Sequence, residues 1–116
     1  MNIMIDEKRK KTVITPCTSP CAIERGMRLL GSKWKGTILW HLKEGPVRFN
    51  DLSRMISGAS KKMIDQRLKE METEKLITRT VINTRPIAVS YEITELGHSA
   101  LVFLEELKEW VEVHNL

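Results

Sequence analysis

Residues 49–91 constrain the fold most, because helical and extended patterns follow one another there with no room for a linker. Residues 50–56 read as a short helix that meets a turn at Gly58, and residues 60–74 as a longer helix. With about 100° per residue, Ile64, Leu68, Met71 and Lys75 of the longer helix fall within a narrow arc. The first three, with Met63 beside them, form the expected buried face. Lys62, Gln66, Lys69 and Thr73 lie opposite, with Lys61 and Asp65 on one flank. Two β-rich runs follow, 76–82 and 88–93, around Asn83-Thr84-Arg85-Pro86. In the second run Val89, Tyr91 and Ile93 alternate with polar residues, as a half-buried strand requires.

Short helix, turn, basic helix and β-hairpin are the order of a winged helix-turn-helix. The expected class is mainly α (α+β), with a two-stranded β-wing and extra N- and C-terminal helices. The second helix of such a unit has the width that the DNA major groove admits. The helix 60–74 is therefore expected to read double-stranded DNA, with the wing at 83–87 on flanking DNA. Lys and Gln can bond base edges, and Lys also binds phosphate. The candidate contacts are Arg48, Ser60, Lys61, Lys62, Asp65, Gln66, Lys69, Arg79 and Arg85. A solvated helix face and a solvated turn arginine would carry the same residues. The basic wing directly after a basic helix favours DNA, and it argues against a winged helix used only for protein contact.

The charge is unevenly placed. The whole chain carries +4, yet residues 48–91 hold nine basic and five acidic side chains and residues 92–116 hold one and six. A basic surface attracts polyanions and an acidic segment is repelled by them, so the C-terminal helix should face away from nucleic acid. At 116 residues one domain is expected, over 17–116, after a basic arm at 1–16 that contains Lys8-Arg9-Lys10-Lys11. The arm is either solvated, or touches DNA phosphates or a partner subunit. No apolar run approaches membrane-spanning length and no apolar signal core follows the N-terminus, so a cytoplasmic location without membrane contact is expected.

Before the central unit, Ser19 can cap and Pro20 can open a helix that stops at Gly31, with Ile23, Met27 and Leu30 at helical spacing. Ser32 is the expected cap of a second helix over 33–43, where Trp34, Ile38 and Leu42 share a face widened by Leu39 and Trp40. Gly45-Pro46 ends it. After the hairpin, Thr94 can cap a last helix. Leu96, Ala100, Phe103, Leu104, Leu107, Trp110 and Val111 make a broad stripe on it, and Leu101, Val102, Val113 and Leu116 lie outside that stripe. One small domain needs one face of a terminal helix. The surplus suggests a second copy joined through 94–116, with Ile23, Met27, Phe103, Leu107, Trp110 and Val111 as interface candidates. A larger intramolecular core is the alternative.

Cys21 is expected in the first turn of its helix, where unpaired N–H groups and the helix dipole favour a thiolate. Arg25 could add positive charge, and Cys17 could resolve an oxidised Cys21. The plainer reading is a small, buried, inert thiol. A metal site is not expected: only His41, His98 and His114 could join the Cys pair, and His41 falls on the apolar face of Trp34 and Ile38 as a core histidine would. No cofactor and no enzyme are expected. The chain has no phosphate-cradling glycine motif, no HExxH and no nucleophile elbow. It also lacks the aromatic-rich sheet that stacks single-stranded RNA bases.

Several segments in order resemble the HxlR family of bacterial transcriptional regulators, relatives of the MarR winged-helix group. They are Cys21 opening a helix, Gly31-Ser32-Lys33-Trp34, Ile38-Leu39-Trp40-His41-Leu42 and Gly45-Pro46-Val47-Arg48-Phe49-Asn50-Asp51-Leu52. Ser60-Lys61-Lys62-Met63-Ile64, Gln66-Arg67-Leu68-Lys69-Glu70-Met71, Tyr91-Glu92-Ile93-Thr94-Glu95-Leu96-Gly97 and Leu107-Lys108-Glu109-Trp110 complete them. The resemblance covers about residues 21–114. It implies a homodimer on a two-fold-related operator, with terminal helices joining the subunits; many members control a neighbouring gene, and a repressor is the expected role here, with an activator as the alternative. It also implies that an electrophile, oxidant or other small molecule can act as inducer through a cysteine at the position of Cys21. The wing departs from the family pattern: Ala88 and Ser90 flank Val89, and Arg85 lies earlier than the usual basic residue.

Overall fold

The computed structural model describes residues 21–116. The basic arm, Cys17 and the Ser19-Pro20 helix start lie outside the described residues. The first helix, α1 (Ala22–Leu30), has Cys21 as its N-cap. Cys21 thus precedes the first turn rather than standing inside it. Ser32 does not cap the second helix, α2 (Lys35–His41), whose N-cap is Trp34. The Ser32 hydroxyl instead donates to the Arg28 carbonyl at 3.1 Å. The last carbonyls of α1 need donors, and Ser32 is close enough to supply one. Trp34 then turns the chain at a φ of 81°, a left-handed conformation that a bulky residue adopts only under tertiary constraint.

Strand β1 (Val47–Arg48) and helix α3 (Phe49–Met55) follow. Gly58, at a φ of 92°, makes the turn into α4 (Lys61–Thr73). The Ser60 hydroxyl accepts from the Met63 N–H at 3.1 Å and caps α4. Ile64, Leu68 and Met71 are fully buried, and Met63 is half-buried beside them. Lys75 does not extend that face. It sits at a φ of 66° just past the helix. There the Lys75 N–H reaches the Glu72 carbonyl at 3.0 Å and the Leu76 N–H reaches the Met71 carbonyl at 2.9 Å. This paired closure turns the chain out of the helix and leaves Lys75 exposed.

The wing strands are β2 (Ile77–Thr84) and β3 (Ile87–Ile93), joined through a cis Arg85–Pro86 bond. Among the described residues the sheet has three strands in the order β1-β3-β2, one more than expected. Val47 pairs with Tyr91 and Arg48 with Ser90, and two residues are too few to display the alternation that marks a strand. A bulge at Ile82, between the pairs Val81–Val89 and Asn83–Ala88, lies in the outer half of the hairpin.

The core joins Ile38 and Leu39 of α2 with Leu42 at its C-cap, Leu52 of α3, the buried face of α4, and Ile77 and Tyr91 of the sheet. His41, expected within it, is only half-buried. The last helix, α5 (Glu95–Val113), is capped by the Thr94 hydroxyl, which accepts from the Gly97 N–H at 3.1 Å. Of α5 only Gly97 and Ala100 are buried. Leu101, assigned outside the apolar stripe, is half-buried, while Leu96, Phe103, Leu107 and Trp110 within it are exposed. Among the described residues no helix is long and apolar enough to cross a membrane.

Gly97 is where α5 meets the sheet most closely. A Cβ there would lie 2.4 Å from the Leu76 carbonyl oxygen and 2.6 Å from Ile93 Cγ1. Gly97→Ala is therefore expected to lose about 1–3 kcal/mol of stability through overpacking, although alanine favours a helix by about 1 kcal/mol. Urea unfolding checks this as a lower midpoint at unchanged slope. A midpoint equal to the parent's would mean that α5 stands off the sheet.

Candidate nucleic-acid interface

The face of α4 turned away from the core carries Lys61, Lys62, Gln66 and Lys69, all exposed. The apolar positions are used on the core side, so this face is left to polar side chains. Ser60 stands exposed at its start, with the hydroxyl engaged as the cap acceptor. Lys69 is tied to Asp65 at 3.0 Å, one turn back on the helix.

Beside this face a cleft of about 770 Å³ opens between α3, α4 and the sheet. It brings together four of the sequence-predicted residues, Arg48, Asp65, Lys69 and Arg79, with Tyr91 also in its lining. Arg79 stands beside the Tyr91 phenol in this lining. Burial pushes that phenol above its ordinary pKa; the neighbouring Arg79 guanidinium opposes the shift, and Asp65 and Glu72 add to it. Tyr91 is consequently a neutral phenol at physiological pH.

Lys61, Lys62 and Gln66 do not line the cleft; they stand on the open face of α4. Arg85 lies at the tip of the wing, exposed, with its backbone N–H donating to Asn83 Oδ1 at 3.3 Å. The sequence reading missed Asn50 and Arg54 of α3, which line the same cleft. Their spacing of four on one short helix was the available signal. Arg54 pairs with Asp51. The Lys69–Asp65 and Arg54–Asp51 pairs are both solvent-facing, and exposed pairs contribute little to stability.

The six interface candidates of the sequence reading fall on α1 and α5. Ile23 is 76% exposed, Phe103 65% and Trp110 54%; Met27 and Leu107 are exposed and Val111 is half-buried. No residue of α1 is buried.

The family model described as HxlR-like helix-turn-helix matches residues 29–115. The chain is 40% identical over 90 residues to the uncharacterized HTH-type transcriptional regulator YkvN of Bacillus subtilis (strain 168), covering 78% of this chain and 76% of that protein. Its fold is similar to the crystal structure of the HTH-type transcriptional regulator YtcD, also of Bacillus subtilis, with a TM-score of 0.75 and 36% identity over 80% of this chain and 95% of that one. The reduced form of the transcriptional regulator YodB from B. subtilis matches with a TM-score of 0.69 and 33% identity, over 79% of this chain and 91% of that one. Quinone-bound and diamide-treated structures of YodB are similar as well, each with a TM-score of 0.67. Motif order, winged fold and relatives agree: the chain belongs to the HxlR-like helix-turn-helix family of DNA-binding transcriptional regulators.

Proposed function

We propose that the protein is a cytoplasmic, homodimeric repressor whose α4 enters the major groove and whose wing tip lies on flanking DNA. The observation that carries this reading is the outward face of α4. It presents Lys61, Lys62 and Gln66 with no large apolar residue among them, on a domain whose hairpin carries Arg79 on a strand and Arg85 at its tip. In this reading Gln66 bonds a base edge and Lys61, Lys62, Arg48 and Arg85 contact phosphates. Ser60, Asp65, Lys69 and Arg79 hold the edge of the interface around the cleft. The exposed apolar residues of α1 and α5 support a two-fold seam, since a C2 dimer buries the same patch twice. Occupying its operator, the dimer blocks transcription.

The signal in this reading is modification of the Cys21 thiol. As the N-cap of α1, Cys21 lies at the positive end of the helix dipole, which favours the thiolate. The helix it opens carries Ile23 and Met27 of the proposed seam, so an adduct there alters how the two α4 helices are spaced. The quinone-bound and diamide-treated forms of the relative YodB support the choice of reagents. Cys17 would serve only a disulfide step.

One observation favours a second reading, a winged helix that contacts only protein: Asp51 and Asp65 neutralise two of the cations in the cleft. Footprinting on the DNA flanking the protein's own gene separates the two. Expected is a protected pair of half-sites about one helical turn apart. Diamide should abolish the protection with the parent protein but not with Cys21→Ser. A complete absence of protection would favour the protein-contact reading, and protection untouched by diamide would remove Cys21 from the switch.

A further inference from the structure

Apolar contacts hold α4 to the core, but they are non-directional, and methyl groups can repack under a helix that rolls about its axis. With side chains included a helix is about 10–12 Å across, so a roll of about 20° carries a side-chain tip roughly 2 Å. That displacement is enough to break a hydrogen bond to a base. A helix that reads DNA therefore needs a directional restraint besides its buried stripe.

The described residues contain one. Lys35 of α2 is 3% exposed. Its ammonium lies 2.8 Å from Glu74 Oε2 and 3.5 Å from Glu70 Oε1. Arg67 Nη1 binds both oxygens of the same Glu70 at 3.0 Å, and Arg67 Nε donates to the Lys33 carbonyl at 3.0 Å. Arg67, Glu70 and Glu74 follow one another at helical spacing on one flank of the recognition element. Lys61 and Asp65 lie on the other flank. The clamp thus grips α4 on the side away from the cleft and fastens it to the α1–α2 junction, beside the strained Trp34.

The arrangement is costly as a source of stability. Glu74 Oε1 is buried with no hydrogen-bond partner among the described residues. Lys35 is buried while Glu74 and Glu70 are only partly so; an ion pair that buries its cation and leaves an oxygen unsatisfied is commonly no more stable than well-packed apolar side chains in its place, whereas its geometry is far more specific. We propose that Lys35 and Arg67 are positioning residues for DNA reading: they fix the roll of α4, and operator preference depends on them more than stability does. The proposal rests on the DNA-reading role of α4 argued above. It also gives a strain at the α1–α2 junction a direct mechanical route to that helix.

The test measures thermal melting together with affinity for the footprinted operator and for random duplex, on the full chain. Lys35→Met should melt lower, because it leaves Glu74 unpaired. Lys35→Met with Glu74→Leu should regain the parent's melting temperature and still bind the operator about tenfold more weakly, with random-duplex affinity unchanged. Arg67→Gln, which removes the Lys33 tie without unpairing the buried ammonium, should lower operator preference several-fold and carries the test if the double variant does not fold. A double variant, or an Arg67→Gln variant, that is folded and keeps the parent's operator-to-random ratio overturns the proposal. A parent chain that itself prefers no sequence overturns the DNA-reading role, and the proposal with it.

Discussion

Leu107→Asp or Trp110→Asp is expected to yield a folded monomer at micromolar concentration, with operator affinity reduced by about 100-fold or more. Both side chains are 54% exposed in the single chain, so neither holds the domain together. Burial of a large apolar side chain is worth about 1.5–3 kcal/mol, and a two-fold seam counts each residue twice. An aspartate there also faces a desolvation cost that no partner offsets. Loss of the seam separates the two recognition helices. Binding at one half-site then no longer raises the effective concentration at the other, which is where most of the affinity of a tandem reader lies. Light scattering reads the mass, far-UV circular dichroism reads the fold, and a gel shift reads the binding. An aspartate variant that remains dimeric would place the seam elsewhere than on α5.

The parts of the fold that follow from short-range periodicity were legible in the sequence. The buried face of α4 was, because Ile64, Leu68 and Met71 recur at helical spacing. The cap Thr94 was, because a hydroxyl before an apolar period has few other uses, whereas Ser60, read as the first residue of its helix, proves to be the cap. What was hidden depends on partners distant in the chain. Ser32 looks like a cap for α2, and only the position of the Arg28 carbonyl decides that it closes α1 instead. Nothing in the local pattern singles out Lys35, because its burial requires Glu74, 39 residues away. Strand β1 exists only because β3 lies beside it. On α5 the pattern tells that a wide surface is apolar but not which neighbour covers it, hence the exchange of Leu101 with Phe103. The make-up of the candidate site was readable in the same degree. The residues on the open face of α4 were found from its period, while Asn50 and Arg54 join the cleft through the packing of α3 against the sheet.

Gln66→Ala is expected to remove operator preference at one position in each half-site while leaving affinity for random duplex as it was. Gln66 is exposed on the outer face of α4, with Lys62 four residues before it and Lys69 three after. Its amide offers a donor and an acceptor together, the pair that matches adenine in the major groove. One such contact discriminates by about 1–3 kcal/mol, and a two-fold complex makes it twice, so the operator should lose about 30-fold in affinity or more. The lysines and the wing arginine behave differently. Lys61→Ala or Arg85→Ala removes a phosphate contact, so all sequences weaken together and the slope of log affinity against log salt flattens by roughly one unit per contact. Lys69→Ala should do less, because Asp65 already neutralises Lys69 in the unbound chain and that pair must open before a phosphate is bound. Titrations of operator and random duplex across a range of salt concentrations separate these behaviours in one set of measurements. Were Gln66→Ala to weaken operator and random duplex equally, with a flattened salt slope, the outer face of α4 would be holding the backbone, and base reading would have to come from elsewhere on the domain.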